Sequence, residues 1–230
     1  MHPNEPVPDG SILARKTRAR PADKPRLTRA DVEAALALPP APERTDEDLN
    51  PGGRARLTPL RRPAAVLCAL VERQGGLQVV LTRRSAKLRA HAGQIAFPGG
   101  KIDPGDPSPL AAALREAREE VGLLPEQVDV LGRLDPYVTV TGFRVTPFVG
   151  LIDPHWRPLP DPGEVEEVFE VPFDFLMDPA NHTRAHYERT TEHGPERRHY
   201  YAMPWRDYYI WGATAAMLQG FGERLVGRTR

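Results

Sequence analysis

Runs of apolar residues in this chain fall into two periods, and the change between them marks out the elements. "AAVLCALVE", residues 64–72, and "LQVVLT", residues 77–82, are apolar stretches of strand length, separated by Arg73, Gln74, Gly75 and Gly76. Such a pair predicts a β-hairpin. Further strands are predicted over 128–134, 144–151 and 165–171, around Tyr200 to Ala202, and in the aromatic run "YYIW" that ends at Trp211. A helix is predicted over 109–121, where Leu110, Ala113, Leu114, Ala117 and Val121 form one apolar stripe at about 100° per residue. Its ends are written in the sequence, with Ser108 as N-cap, Pro109 at the first helical position and Gly122 beyond the last. A last helix is predicted from Ala213 to about Val226, with Thr214, Met217, Leu218, Phe221 and Leu225 on one face. Strands interrupted by two strong helices predict an α/β fold, a mixed sheet sandwiched between helices.

Before Pro63 the pattern is different. Residues 1–62 are rich in Pro, Arg and Asp and read as an N-terminal arm with one helical phrase, "TRADVEAALAL", in which Thr28 and Asp31 form a capping-box pair. The folded domain is expected over 63–230.

Composition narrows the function. The 31 basic and 31 acidic residues balance, so no global field favours nucleic acid or a membrane surface, and an anionic ligand must be held locally. The single cysteine, Cys68, lies in an apolar run and reads as a buried hydrophobe. The opening "MHPNEPVPDG" has no signal pattern and no segment approaches about 20 continuous apolar residues, so a cytoplasmic protein without a membrane partner is expected.

The chemistry concentrates between residues 81 and 123. Beside the apolar stripe of the first strong helix lie Glu116, Glu119 and Glu120. Carboxylates at this spacing repel one another and weaken the helix unless a positive charge neutralises them. Arg115 and Arg118 offer one solution, a solvated face of ion pairs. The Phe97-Pro98-Gly99-Gly100 turn offers another, because it brings bare backbone carbonyls beside the carboxylates and forms an all-oxygen site suited to a hard cation.

"GGKIDPGDPSPLAAALREAREEVGL" resembles the Nudix box. After Gly100 come five residues, Asp106 where the usual box has Glu, eight residues where it has seven, and then Arg115-Glu116-Ala117-Arg118-Glu119-Glu120-Val121-Gly122-Leu123. The departures fall in the loop. Upstream, Leu81, Thr82, Arg84, Ser85, Arg89, Gly93, Phe97, Pro98, Gly99 and Gly100 match every fixed position of the signature of the coenzyme A pyrophosphatase branch. The resemblance implies a Nudix fold and metal-dependent hydrolysis, with Mg²⁺ or Mn²⁺, of the diphosphate of coenzyme A or acyl-CoA. The products implied are 3′,5′-ADP and 4′-phosphopantetheine or its acyl form. A broader nucleoside-diphosphate hydrolase acting on NADH or ADP-ribose, and a non-catalytic Nudix-fold ligand sensor, are the alternatives.

Under this resemblance the carbonyl of Gly99 and the side chains of Glu116, Glu119 and Glu120 are the expected metal ligands, and the three glutamates the catalytic groups. Gly100, Asp106 and Arg115 are expected to shape and brace the loop. Arg84 and Arg89, within the basic cluster Arg83, Arg84, Lys87, Arg89 and His91, are expected to bind the anionic substrate. The general base stays open among Glu119, Glu120, Glu164, Glu166 and Glu167. Tyr137, Phe143, Trp156, Tyr200, Trp205 and Trp211 are candidates for stacking adenine. His182, His186, His193 and His199 read as surface residues of a polar, loop-like stretch without a metal-ligand pattern.

Overall fold

The computed structural model describes residues 25–50, 61–88, 90–191 and 194–227. In chain order the elements are α1 (Arg29–Leu36), β1 (Arg44–Thr45), β2 (Arg62–Arg73), β3 (Gly76–Arg84), β4 (Ile95–Ala96), β5 (Gly99–Lys101), α2 (Pro109–Val121), β6 (Val128–Arg133), β7 (Tyr137–Val138), β8 (Phe143–Ile152), β9 (Val165–Pro172), α3 (Phe173–Met177), β10 (Thr183–Thr191), β11 (Gly194–Trp205), β12 (Tyr208–Trp211) and α4 (Gly212–Gly227).

Strand β2 organises the larger sheet. It pairs antiparallel with β3 through the predicted hairpin, antiparallel with β5, and parallel with β8 from Arg62↔Phe143 to Val71↔Ile152. Both of its faces are covered, which is why its sequence is apolar almost without alternation. Ala65, Leu67, Ala69 and Val71 pack with Ala112, Ala113, Ala117 and Val121 of α2. Ala64, Cys68 and Leu70 join the core on the other side, which includes Val32 and Ala35 of α1 and Met217, Leu218, Phe221 and Leu225 of α4. The result is a mixed sheet between helices. A second, antiparallel sheet runs β10-β11-β12.

Both long helices begin and end as their sequence predicts. Ser108 Oγ accepts from the Ala111 N–H at 3.1 Å, and Gly122 caps α2 at φ 68°. The helix buries two residues outside the predicted apolar stripe, Ala112 and the charged Glu120, which is 2% exposed.

Two expectations change. The stretch holding His186 and His199 is not a loop, since β10 and β11 form a hairpin in register from Thr183↔Ala202 to Thr191↔Gly194, while His182 precedes β10 with its Nε2 2.7 Å from the Leu176 carbonyl. Its alternation is masked in sequence because an inward position carries a charge: Arg198 is 3% exposed, on the buried face of Tyr200 and Ala202. His193 lies outside the described residues. The second change concerns the arm. Residues 25–50 do not stand apart but lie along the domain. The expected Thr28–Asp31 capping box forms in α1, whose Val32 and Ala35 are fully buried. The guanidinium of Arg224 on α4 donates to the carbonyls of Ala35 at 3.1 Å and Leu38 at 2.6 Å and to Asp135 Oδ2 at 2.7 Å. Further along, Asp46 accepts from Tyr137 Oη and from the Val140 N–H, both at 2.6 Å, and Asn50 exchanges two hydrogen bonds with the backbone of His199. Apolar burial by only two side chains gave little sequence signal for this docking; polar contacts carry the rest.

Arg224→Ala removes a nearly buried cation and leaves Asp135, 13% exposed in its side chain, with the Ala41 N–H but without its counter-charge. A loss of about 3 kcal/mol is expected, read as a fall of roughly 6–12 °C in Tm. A Tm within 2 °C of the parent, by the roughly 2–4 °C per kcal/mol of a domain this size, would show that α1 docks without it.

Candidate active site

The Phe97-Pro98-Gly99-Gly100 turn is bare because two neighbours occupy the space side chains would need. A Cβ on Gly99 would lie 2.5 Å from the Ala65 carbonyl oxygen and 2.6 Å from Val66 Cα, so β5 lies close against β2 only with glycine there. A Cβ on Gly100 would meet the Glu116 carboxylate, with Oε1 at 2.7 Å. One glycine admits the neighbouring strand and the next admits a carboxylate.

Glu120 ties three elements together. Its Oε2 accepts from the Gly99 N–H at 3.0 Å and its Oε1 from Arg84 Nη1 at 3.3 Å. Burial pushes its pKa up to about 7, opposed by the Gly99 N–H and Arg84 and reinforced by Glu116 and Glu164. Burial also raises Glu116 above the usual carboxylate range, against the pull of Arg115. Arg84, expected on substrate, therefore holds a carboxylate in place. Arg89 lies outside the described residues.

Arg115 is the brace of the loop between β5 and α2. Its Nε and Nη2 grip the two oxygens of Asp106 at 2.9 and 3.0 Å, and Nη2 also reaches the Lys101 carbonyl at 3.2 Å. With the Asp103 N–H, it holds Asp106 below the usual carboxylate range. The same guanidinium, through Nη1, meets Glu116 Oε1 at 3.1 Å and Glu119 Oε2 at 2.9 Å.

Glu116, Glu120 and Glu164 line one cleft of about 980 Å³, together with Gly99, Gly100, Arg84 and His91. Glu119 does not line it; its side chain is 57% exposed on the Arg115 flank. Accordingly no three His, Cys, Asp or Glu side chains among the described residues stand together at metal-holding spacing. The donor chemistry nevertheless fits a divalent cation. The carboxylates are oxygen ligands, one is buried, and burial, reinforced by neighbouring carboxylates, raises Glu116 and Glu120, a cost that a cation relieves.

Of the open candidates for the base, Glu120 and Glu164 reach the cleft, and Glu164 alone of these two has no carboxylate hydrogen bond to a cleft residue among those described. The Glu164 backbone is fixed by the Ser85 N–H to its carbonyl at 2.8 Å, and the adjoining turn is stapled to α2 by the Asp161 N–H to the Glu120 carbonyl at 3.0 Å. Glu167 instead accepts from Tyr208 Oη at 2.6 Å, and Glu166 is exposed outside the cleft. Of the aromatic candidates, Phe143, Tyr200 and Trp211 line the cleft. Tyr137 holds Asp46, Trp156 is buried in the core beneath α2, and Trp205 stacks with Tyr208. Asp46, Arg62, Lys101, Arg198 and His199 also line it, none of them singled out from sequence as substrate ligands. For Arg62 a signal existed: strand alternation puts it on the face of Ala64 and Val66.

A family model, the NUDIX domain, matches residues 61–192. The chain belongs to the Nudix hydrolase family. Curated relatives named as the uncharacterized Nudix hydrolase NudL include one from Citrobacter koseri, 46% identical over 161 residues, covering 69% of this chain and 80% of the relative. Another, from Photorhabdus laumondii, is 38% identical over 190 residues, covering 83% and 92%. Among solved structures, similarity extends to the Mycobacterium smegmatis ("M. Smegmatis") Nudix hydrolase RenU, 28% identical with a TM-score of 0.43 over 50% of this chain and 72% of that one. It extends also to a C. elegans Ap4A hydrolase, 17% identical with a TM-score of 0.47 over 72% and 98%. This Nudix chain is thus a pyrophosphohydrolase, a class that generally works with divalent metal ions. No helix among its described residues is long and apolar enough to cross a membrane.

The two glycines of the Nudix turn should fail differently when mutated. Gly99→Ala drives a methyl into β2 backbone and is expected to cost about 3 kcal/mol, whereas Gly100→Ala displaces only the Glu116 carboxylate and should lower kcat/KM about 100-fold with a smaller change in Tm. Equal loss of stability in both variants would contradict this division.

Glu120 also predicts a pH dependence for the metal-free protein. Its folded pKa of about 7 lies above the ordinary 4.5, so the folded state binds the extra proton and stability declines as pH rises from about 4.5 through 7. Glu120→Gln should remove that decline and raise stability at pH 8 by about 2–3 kcal/mol. Denaturant titrations at pH 4.5 and 8 check it, and parallel pH profiles for parent and variant would contradict it.

Proposed function

We propose that this Nudix hydrolase cuts coenzyme A or acyl-CoA at the diphosphate, using Mg²⁺ or Mn²⁺, and releases 3′,5′-ADP and 4′-phosphopantetheine or its acyl form. The observation that carries this reading is the run from Leu81 to Gly100, which matches the coenzyme A pyrophosphatase signature and ends in the turn beside Glu116 and Glu120. The cleft supports it, because it continues from these carboxylates to Phe143, Tyr200 and Trp211 and accommodates a ligand longer than the diphosphate alone.

Glu116 and Glu120 would hold the cation, with Gly99 at the same turn and Glu119 joining once freed from Arg115. A divalent cation supplies charge neutralisation for the diphosphate oxygens and acidifies the attacking water. The Gly99 N–H and Arg84 keep the Glu120 carboxylate oriented, so little reorganisation accompanies reaction. Arg115 and Asp106 fix the loop on which Lys101 and Asp103 stand. Glu164 accepts the proton of the attacking water at a carboxylate oxygen; the new phosphorus–oxygen bond forms as the anhydride bond breaks, and the leaving phosphate carries the electron pair.

Incubation of the full chain with coenzyme A and Mg²⁺, followed by chromatography, should yield 3′,5′-ADP and 4′-phosphopantetheine. Glu120→Gln should lower kcat by about 100-fold or more. Cleavage of NADH or ADP-ribose without turnover of coenzyme A would overturn the substrate reading and leave the hydrolase class standing.

A further inference from the structure

The floor of the cleft is one face of three adjacent strands. Register places Arg62, Ala64 and Val66 of β2 beside Phe143 and Val145 of β8, and places Gly99 and Lys101 of β5 opposite Val66 and Ala64. All of these residues line the cleft. Arg62 and Lys101 are therefore diagonal neighbours across the β2–β5 pair, positions roughly 7–8 Å apart at the backbone.

These two cations differ from the others in the cleft. Arg84 is engaged by Glu120, and Arg198 lies 3.4 Å from Glu47 and 3.6 Å from Glu196. Among the described residues neither Arg62 nor Lys101 forms an ion pair. Arg62 is held all the same: its guanidinium lies 4.1 Å over the Phe143 ring and donates to the Thr141 carbonyl at 3.2 Å. A guanidinium stacked in this way presents its remaining N–H edge with little freedom to lose. The nearby carboxylates are occupied, Asp46 by Tyr137 and Val140, and Asp103 by Arg115 at 3.7 Å.

We propose that Arg62 and Lys101 form a second anion subsite, which receives a phosphate monoester on the nucleotide half of the substrate, apart from the diphosphate that is cut. The proposal rests on the coenzyme A reading, in which that group is the 3′-phosphate. It moves anion recognition from Arg84, which braces Glu120, to a pair on the sheet floor.

Two measurements on the full-length protein separate the subsite from the substrate reading. Calorimetry with 3′,5′-ADP and 5′-AMP compares ligands that differ by the monoester alone and requires no turnover. The wild type should bind 3′,5′-ADP about tenfold or more tightly than 5′-AMP, and Arg62→Gln and Lys101→Met should each remove most of that preference, with Arg62→Lys restoring part of it. In kinetics, the ratio of kcat/KM on coenzyme A to that on 3′-dephospho-coenzyme A should fall about tenfold in each variant, chiefly through KM. Equal affinity of the wild type for the two nucleotides, or variants that keep its preference, would overturn the subsite. An equal loss on both coenzymes would assign the pair to the diphosphate and overturn it too. A wild type that fails to hydrolyse coenzyme A yet prefers 3′,5′-ADP would overturn only the coenzyme A reading.

Discussion

The Glu120 carboxylate is the point at which the architecture and the chemistry of this hydrolase meet. A side chain on α2 accepts one hydrogen bond from the first residue of β5 and one from the end of β3. Burying a carboxylate among other carboxylates is unfavourable, and those two donors offset only part of the cost. The remainder shows as a carboxyl pKa pushed up to about 7, and a cation in the cleft would displace that proton. A cation bound there would relieve that cost at a carboxylate its two donors already orient.

Around this point the loop chemistry is economical in its partners. Arg115 alone contacts Asp106, Glu116, Glu119 and the Lys101 carbonyl. The aspartate that replaces the usual glutamate of the box is short, yet it receives both arms of the guanidinium, across a spacing one residue longer than the usual box. Departure from the common pattern thus changes the path of the loop without loosening its anchor.

Legibility in the sequence followed the source of each element's stability. Where burial is apolar and regular, as along β2, β3, α2 and α4, period and capping residues marked the element nearly to the residue. Where polar side chains carry the contact, the pattern was silent: Asp46, Asn50 and Arg224 attach the N-terminal segment by hydrogen bonds to backbone groups far away in sequence. The site divides the same way. The turn and the two cleft glutamates, Glu116 and Glu120, stand out in the motif, whereas Glu119 of the same motif lies on the exposed Arg115 flank. The engagement of Arg84 by Glu120 was not legible, because a helix position that seemed to lie on the flank is in fact the most buried of the three glutamates. Strand alternation alone would have drawn Arg62 onto the cleft floor, had β2 been read from its first residue.

Docking of α1 onto α4 joins the first described helix to the last across almost the whole chain, with Arg224 and Ala35 separated by 189 positions. A growing polypeptide therefore emerges with a helix whose resting place does not yet exist. Eight residues of helix are marginal by themselves in water, so this segment remains without its lasting partner until α4 leaves the ribosome. Closure of so long a loop comes late in folding, after the sheet has supplied a surface. Termination anywhere before α4 would thus leave α1 undocked as well, exposing Val32 and Ala35 together with the sheet face that α4 covers, and such fragments would be prone to aggregate.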